Sequence, residues 1–132
     1  MRFYEKPGCA GNARQKKMLE RAGVELEVRD LLSEPWSDVR LMEFFEGVPV
    51  PAWFNPNAPD VKSGAIDVNS LDKEAALTRL IAEPILIKRP LIEYKGESIL
   101  GFDLSRIQRL VPALGRFQPV DPGGCTGSDR CV

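Results

Sequence analysis

The first twelve residues place a cysteine between a short strand and the start of a helix. Residues 2–5 have the composition of a strand, and Pro7-Gly8 breaks the pattern just before Cys9. Ala10-Gly11-Asn12 then leads into a helical pattern over residues 13–22, and we expect Asn12 to be its N-cap. The segment therefore predicts a strand, a tight loop and a helix, with a thiol where the loop meets the helix.

This position favours a reactive thiol. The first backbone N–H groups of a helix lack partners within the helix, and the helix dipole places partial positive charge there. A thiolate is favoured over a thiol in such a field, and the thiolate is the nucleophilic form of cysteine. Gly8 and Gly11, on either side of Cys9, suit a backbone that comes close to a substrate or an anion. The alternative is a thiol that only packs beneath a turn, as free cysteines often do.

Composition indicates one globular domain with few other catalytic groups. The chain has 132 residues, of which 43% are hydrophobic and 28% charged, with a net charge of −1. This charge balance gives no support for binding to nucleic acid or to a membrane surface. No stretch is long and apolar enough to span a membrane and no signal-peptide pattern is present, so we expect a cytoplasmic protein. There is no histidine, and we expect no bound metal or other resident cofactor.

The remaining patterns predict a βαβ unit, a helical insertion over about residues 35–83, and a ββα unit. Val24, Leu26 and Val28 alternate with charged residues and predict a half-buried second strand, parallel to the first. The later predicted elements are a helix over 37–46, turns and loops over 48–70, a helix over 72–82 with Ser70 as N-cap, a hairpin of 92–94 with 99–101, and a helix from Asp103.

The last seventeen residues differ in composition from the rest. They are rich in Gly and Pro without periodicity, so we expect a domain over residues 1–115 and a flexible tail over 116–132. The tail carries Cys125 and Cys131. These thiols could form a disulfide with each other, resolve a disulfide formed at Cys9, or take no part, and the spacing leaves all three alternatives open.

The predicted order of elements is that of a thioredoxin-like α/β fold of the glutaredoxin type, and particular residues narrow the resemblance. The strand–Pro-Gly-Cys–helix start and the sequence Pro84-Ile-Leu-Ile-Lys-Arg-Pro-Leu-Ile92 resemble the arsenate reductase (ArsC) and Spx family over residues 1 to about 114. The Ala-Trp-Phe-Asn-Pro-Asn-Ala-Pro stretch and the cysteine-bearing tail are similar to the branch of nitrogenase-associated proteins. That branch has a relation to nitrogen fixation inferred from gene neighbourhood.

The resemblance implies roles for individual residues. Cys9 would be the nucleophile and Arg89 the contact to an oxyanion, for which the planar guanidinium is suited, with Pro90 in the cis form beside them. Arg14, one position later than the family's arginine, and Asn55 are further expected contacts to an anion or substrate.

The chain also departs from the reductase pattern. Asn55 stands where the reductases have an arginine, and Gly101-Phe102 stands in place of Arg-Pro. A charge-assisted contact contributes about 1.5–3 kcal/mol, so we expect the loss of two to weaken arsenate binding by several orders of magnitude.

Two interpretations of function follow. The first is a thiol oxidoreductase that acts through a mixed disulfide, with glutathione or a glutaredoxin as co-reductant. The second is a non-enzymatic interaction protein in the manner of Spx that binds a protein partner through the insertion or the tail. The loss of the arginines favours it, as would exposure of apolar residues such as Trp36 and Trp53. For Trp53 and Phe54, however, we expect anchoring of the insertion to the core. Arsenate reduction itself ranks third.

Overall fold

A computed structural model describes residues 1–116 of the chain, with side chains up to Leu114. The described residues form a four-stranded sheet with helices on both faces. The strands are β1 (Arg2–Glu5), β2 (Glu27–Asp30), β3 (Leu91–Tyr94) and β4 (Glu97–Leu100). The helices are α1 (Ala10–Arg21), α2 (Asp38–Phe45), α3 (Pro59–Lys62), α4 (Lys73–Ala82) and α5 (Leu104–Leu110), and short 3₁₀ turns cover Val50–Trp53, Pro84–Leu86 and Pro112–Arg116.

The strand order in the sheet is β2-β1-β3-β4. Strand β1 runs parallel to β2 and antiparallel to β3, and β3 pairs antiparallel with β4. Helices α2, α3 and α4 lie between β2 and β3 in the chain, as the sequence predicted. The sheet thus joins a βαβ unit to a ββα unit around the central pair of β1 and β3.

Alternation along β1 divides the buried side chains into two cores. Phe3 packs on the face of the sheet covered by α1 and α5, together with Leu19, Ile92 and Ile99. Tyr4 points to the opposite face, which the insertion covers. Helix α1, which begins directly after Cys9, therefore shares a core with the central strands.

The second strand is shorter than predicted, and the expectation that Val28 points inward is wrong. Val28 is 45% exposed, because β2 is an edge strand of the sheet. Val24 does not belong to the strand at all. Its N–H bonds to the carbonyl of Leu19, and that of Gly23, whose φ is +86°, bonds to the carbonyl of Glu20. These bonds form a Schellman cap on α1, in which Val24 supplies the apolar contact.

Both tryptophans of the insertion are buried, which confirms that Trp53 anchors the insertion to the core and removes the support that exposed tryptophans would have given to an interaction protein. Trp36 is 7% exposed, and its indole donates to the carbonyl of Leu31. Trp53 is fully buried, stacks on Phe45 with ring centroids 4.5 Å apart, and donates to the carbonyl of Val48. The aromatic residues thus fasten the insertion to the sheet.

Helix α4 begins with a different cap from the one predicted. Asp72 is the N-cap, and its Oδ1 accepts the N–H of Ala75 at 2.8 Å. The hydroxyl of Ser70 instead donates to the carbonyl of Asp67 in the preceding turn.

Candidate functional site at Cys9

A tight turn connects the end of β1 to Cys9 at the start of α1. The N–H of Cys9 donates to the carbonyl of Lys6 at 3.1 Å, which closes a four-residue turn. Pro7 occupies the second position of the turn, and Gly8 occupies the third with φ of +83°. This is the residue pattern of a type II turn, which needs positive φ at its third position.

Cys9 is itself the N-cap of α1, and the prediction of Asn12 as N-cap is wrong. The helix starts at Ala10, and the Cys9 Sγ accepts the backbone N–H of Asn12 at 3.5 Å. The helix starts earlier because a sulfur acceptor can serve its first turn in the way that a cap oxygen usually does. The sulfur thereby receives one of the otherwise unpartnered N–H groups at the positive end of the helix.

Asn12 fixes the turn to the helix from inside the protein. Its Oδ1 accepts the N–H of Lys6 at 3.2 Å, and its Nδ2 donates to Oε1 of Gln15 at 3.0 Å. Asn12 and Gln15 are each 2% exposed. The sequence analysis did not identify Gln15; the signal was its position one helical turn before the buried Leu19 and one after Gly11.

Arg89 lies against the Cys9 thiol. Burial lowers the pKa of its guanidinium, while a hydrogen bond to Cys9 and the charge of Cys9 oppose that shift. The Nε and Nη2 atoms are buried and have no acceptor among the described residues. The Arg89–Pro90 bond is cis, as the resemblance implied. Two buried donor nitrogens of a residue that stands beside Cys9 are thus available.

Asn55 provides a second buried group of this kind. It is 5% exposed, and its Nδ2 also has no acceptor among the described residues. Its backbone N–H donates to the carbonyl of Leu86 at 2.7 Å, and that of Lys88 donates to the carbonyl of Trp53 at 2.9 Å. The segment that carries Asn55 is therefore paired with the segment that leads into Arg89.

Two of the other predicted site residues lie on α1, and two lie outside the described residues. Gly11 is buried as the second residue of α1, whereas the side chain of Arg14 is exposed on the same helix. Cys125 and Cys131 lie beyond residue 116, outside the described part of the chain.

Comparison with known proteins identifies the family. A model of the ArsC family matches residues 4–110, so the chain belongs to the ArsC family. It is 36% identical over 121 residues to an uncharacterised 15.7 kDa protein from the draG 3′ region of Rhodospirillum rubrum, covering 92% of this chain and 82% of that one.

Solved structures share the fold. An arsenate reductase from Vibrio cholerae has a TM-score of 0.68 at 20% identity, covering 83% of this chain and 97% of that one. An arsenate reductase related protein from Brucella melitensis has a TM-score of 0.63 at 22% identity, covering 82% and 91%. The predicted thioredoxin-like α/β fold with a helical insertion is thus confirmed. Among the described residues, no helix is long and apolar enough to cross a membrane.

Proposed function

We propose that this chain is a thiol oxidoreductase in which the Cys9 thiolate attacks a sulfur atom of a disulfide. The observation that carries the proposal is the convergence of two donors on one sulfur. The N–H of Asn12, at the N-terminus of α1, donates to Cys9 Sγ at 3.5 Å, and the Arg89 guanidinium stands beside the thiol, where Cys9 opposes the lowering of the Arg89 pKa by burial. Helix N-termini and neighbouring cations are the surroundings in which proteins keep nucleophilic cysteines.

The alternative of a thiol that only packs beneath a turn fits this environment less well. A packing thiol needs apolar neighbours, whereas Cys9 accepts the N–H of Asn12 and stands beside the half-buried cation of Arg89. Cys9 is only 2% exposed, so a substrate must reach it from the side of the turn. Pro7 and Gly8 are exposed, which places that turn at the surface of the protein.

The reaction we propose is ordinary thiol–disulfide exchange with glutathione disulfide. The Cys9 thiolate forms a bond to one sulfur of the disulfide, the original S–S bond breaks, and the second glutathione leaves as a thiolate with the electron pair. A second thiol then releases the mixed disulfide. Free glutathione, a glutaredoxin or one of the tail residues Cys125 and Cys131 would supply that thiol.

Arsenate is a poorer substrate in this proposal. The buried Asn55 amide is a neutral donor, and Gly101 has no side chain, so neither position offers the charge that a dianion needs. We extend the proposal to a role alongside nitrogen fixation on the strength of the resemblance alone. Higher abundance of the protein in nitrogen-fixing cultures than in ammonium-fed ones would support that role, and equal abundance would contradict it.

The test of the exchange reaction is the rate at which glutathione attaches to Cys9. The full-length reduced protein is mixed with glutathione disulfide, and peptide mapping by mass spectrometry quantifies each cysteine separately. We expect Cys9 to be modified, and Arg89→Gln to slow its modification about tenfold, the effect of losing about 1.4 kcal/mol of charge-assisted interaction. Arg109→Gln, at an exposed position of α5, is the matched control and should leave the rate unchanged. Modification confined to Cys125 and Cys131 would contradict the proposal.

A further inference from the structure

The side chain of Lys88 lies across Gly101. Gly101 has φ of +73°, and a Cβ at this position would stand 2.9 Å from Cε and 3.8 Å from Nζ of Lys88. Contacts of 2.9 Å are essentially never seen for real Cβ atoms. The other glycines with positive φ in the described chain have open space at the same point. Glycine at position 101 therefore leaves room for the path that the lysine takes.

The hairpin places Gly101 beside the residue that follows Arg89. Gly101 directly follows β4, Pro90 directly precedes β3, and the Gly101 N–H donates to the Pro90 carbonyl at 2.8 Å. Pro90 is joined to Arg89 by the cis bond, and Arg89 stands beside Cys9. The path of Lys88 across Gly101 therefore runs next to the segment that holds Arg89 at the Cys9 site.

Lys88 and Arg89 are consecutive cations without a carboxylate. Neither forms an ion pair with any residue in the described part of the chain, although other basic residues do, such as Lys16 with Glu5 at 2.8 Å. Arg89 lies beside Cys9, whose charge acts on its guanidinium. A further positive charge near a nucleophilic thiol, one that no carboxylate of the described residues neutralises, attracts a negatively charged reactant.

We infer that Lys88, through the space that Gly101 leaves open, supplies a second positive charge to the Cys9 site and gives it a preference for anionic disulfides. The inference rests on the proposed function and names its substrate class. Lys88 acts on the incoming disulfide, whereas Arg89 acts on the sulfur of Cys9 itself. The bonds made and broken are those of the exchange reaction above. The half of the anionic disulfide that does not bond to Cys9 leaves as a thiolate.

The test compares two disulfides of opposite charge. Glutathione disulfide carries an excess of carboxylates, whereas cystamine carries only ammonium groups, and peptide mapping of the full-length protein gives the rate at Cys9 for each. The ratio of the two rates cancels the fraction of Cys9 present as thiolate, so it reports the charge near the reactant. We expect Lys88→Gln to lower the glutathione-to-cystamine ratio about tenfold, since one charge close to the reactant is removed.

Two further variants separate a local charge from other effects. Lys62→Gln, at an exposed position of α3 in the insertion, removes the same charge elsewhere and should leave the ratio unchanged within about twofold. Lys88→Arg retains the positive charge and should leave the glutathione-to-cystamine rate ratio unchanged. Equal ratios in wild type and Lys88→Gln, or equal losses in Lys88→Gln and Lys62→Gln, would overturn the inference while leaving the exchange reaction standing. Failure of wild-type Cys9 to react with either disulfide would overturn the proposed function itself.

Discussion

Gly8 occupies the third position of the turn that precedes Cys9. Its left-handed backbone conformation is unfavourable for residues that have a side chain. Its φ is +83°, and no atom lies within 4 Å of the position a Cβ would occupy, so the penalty for a side chain is conformational rather than steric. We expect Gly8→Ala to lower the free energy of unfolding by about 1–2 kcal/mol, the cost of a left-handed conformation. Asparagine adopts the left-handed region more readily than alanine does, so Gly8→Asn should lower the free energy of unfolding less. Urea denaturation measures both, and equal losses for the two variants would contradict this account.

At the same scale, the sequence predicts Cys9, Arg89 and Asn12 as candidate site residues, but it predicts neither Gln15 nor the approach of Lys88 to Gly101. A cysteine between a turn and a helix is a local pattern, and the Arg-Pro pair lies in a motif that the family shares. The sequence predicts Asn12 as the cap because side-chain oxygens are the usual caps. Lys88 meets Gly101 only because β3 and β4 pair in one register, which no local pattern reveals.

At the scale of the elements, the N-terminus of α4 tests the cap assignment. Asp72 Oδ1 accepts the N–H of Ala75, whereas Ser70 bonds only within the preceding turn. We expect Asp72→Ala to lower the free energy of unfolding by about 1 kcal/mol, since it removes a cap and a negative charge at the helix start. Ser70→Ala serves as the control and should change the free energy of unfolding by less than about 0.5 kcal/mol. Chemical denaturation that ranks the two variants in the opposite order would show that Ser70 is the cap.

The existence and order of the helices and strands could be predicted, while the ends and exposure of several could not. Val24 joins the cap of α1 and Val28 faces solvent because β2 is at an edge, and both facts depend on the assembled sheet. The burial of Trp53 agrees with its predicted role as an anchor, whereas Trp36 is buried because the insertion folds back on the face that carries Tyr4. A polar and proline-rich stretch gives little local sign of such packing.

At the scale of the whole molecule, Tyr4 connects the sheet to the insertion. It is fully buried on β1, its hydroxyl donates to Glu93 of β3, and it accepts a hydrogen bond from Arg40 of α2 at 3.1 Å. The Arg40 guanidinium also lies 4.6 Å from the ring centroid of Trp36. Burial, and then the hydrogen bond to Glu93, raise the pKa of Tyr4 above its ordinary value.

This pKa shift predicts a loss of stability at alkaline pH. Tyr4 holds its proton to higher pH in the folded protein than in the unfolded chain, so the stability it contributes is present below about pH 10 and is lost as the pH rises through the folded pKa. We expect the free energy of unfolding of Tyr4→Phe to be about 1 kcal/mol below that of the wild type near neutral pH. This difference should become smaller above about pH 10. Denaturation curves across this range, with Tyr94→Phe as the control, measure the effect. A difference that stays constant with pH would contradict the shift.

The measurement that tests the account most directly compares Cys9 in the folded and the unfolded chain. The rate at which glutathione disulfide modifies Cys9 is measured by peptide mapping in buffer and in urea at one pH. The thiol is 2% exposed, so a cysteine that only packs would react more slowly when the protein is folded. If Asn12 and Arg89 stabilise the thiolate as proposed, the folded protein should react at least about tenfold faster than the unfolded chain, the effect of one charge-assisted hydrogen bond. A slower reaction in the folded state would contradict the central claim.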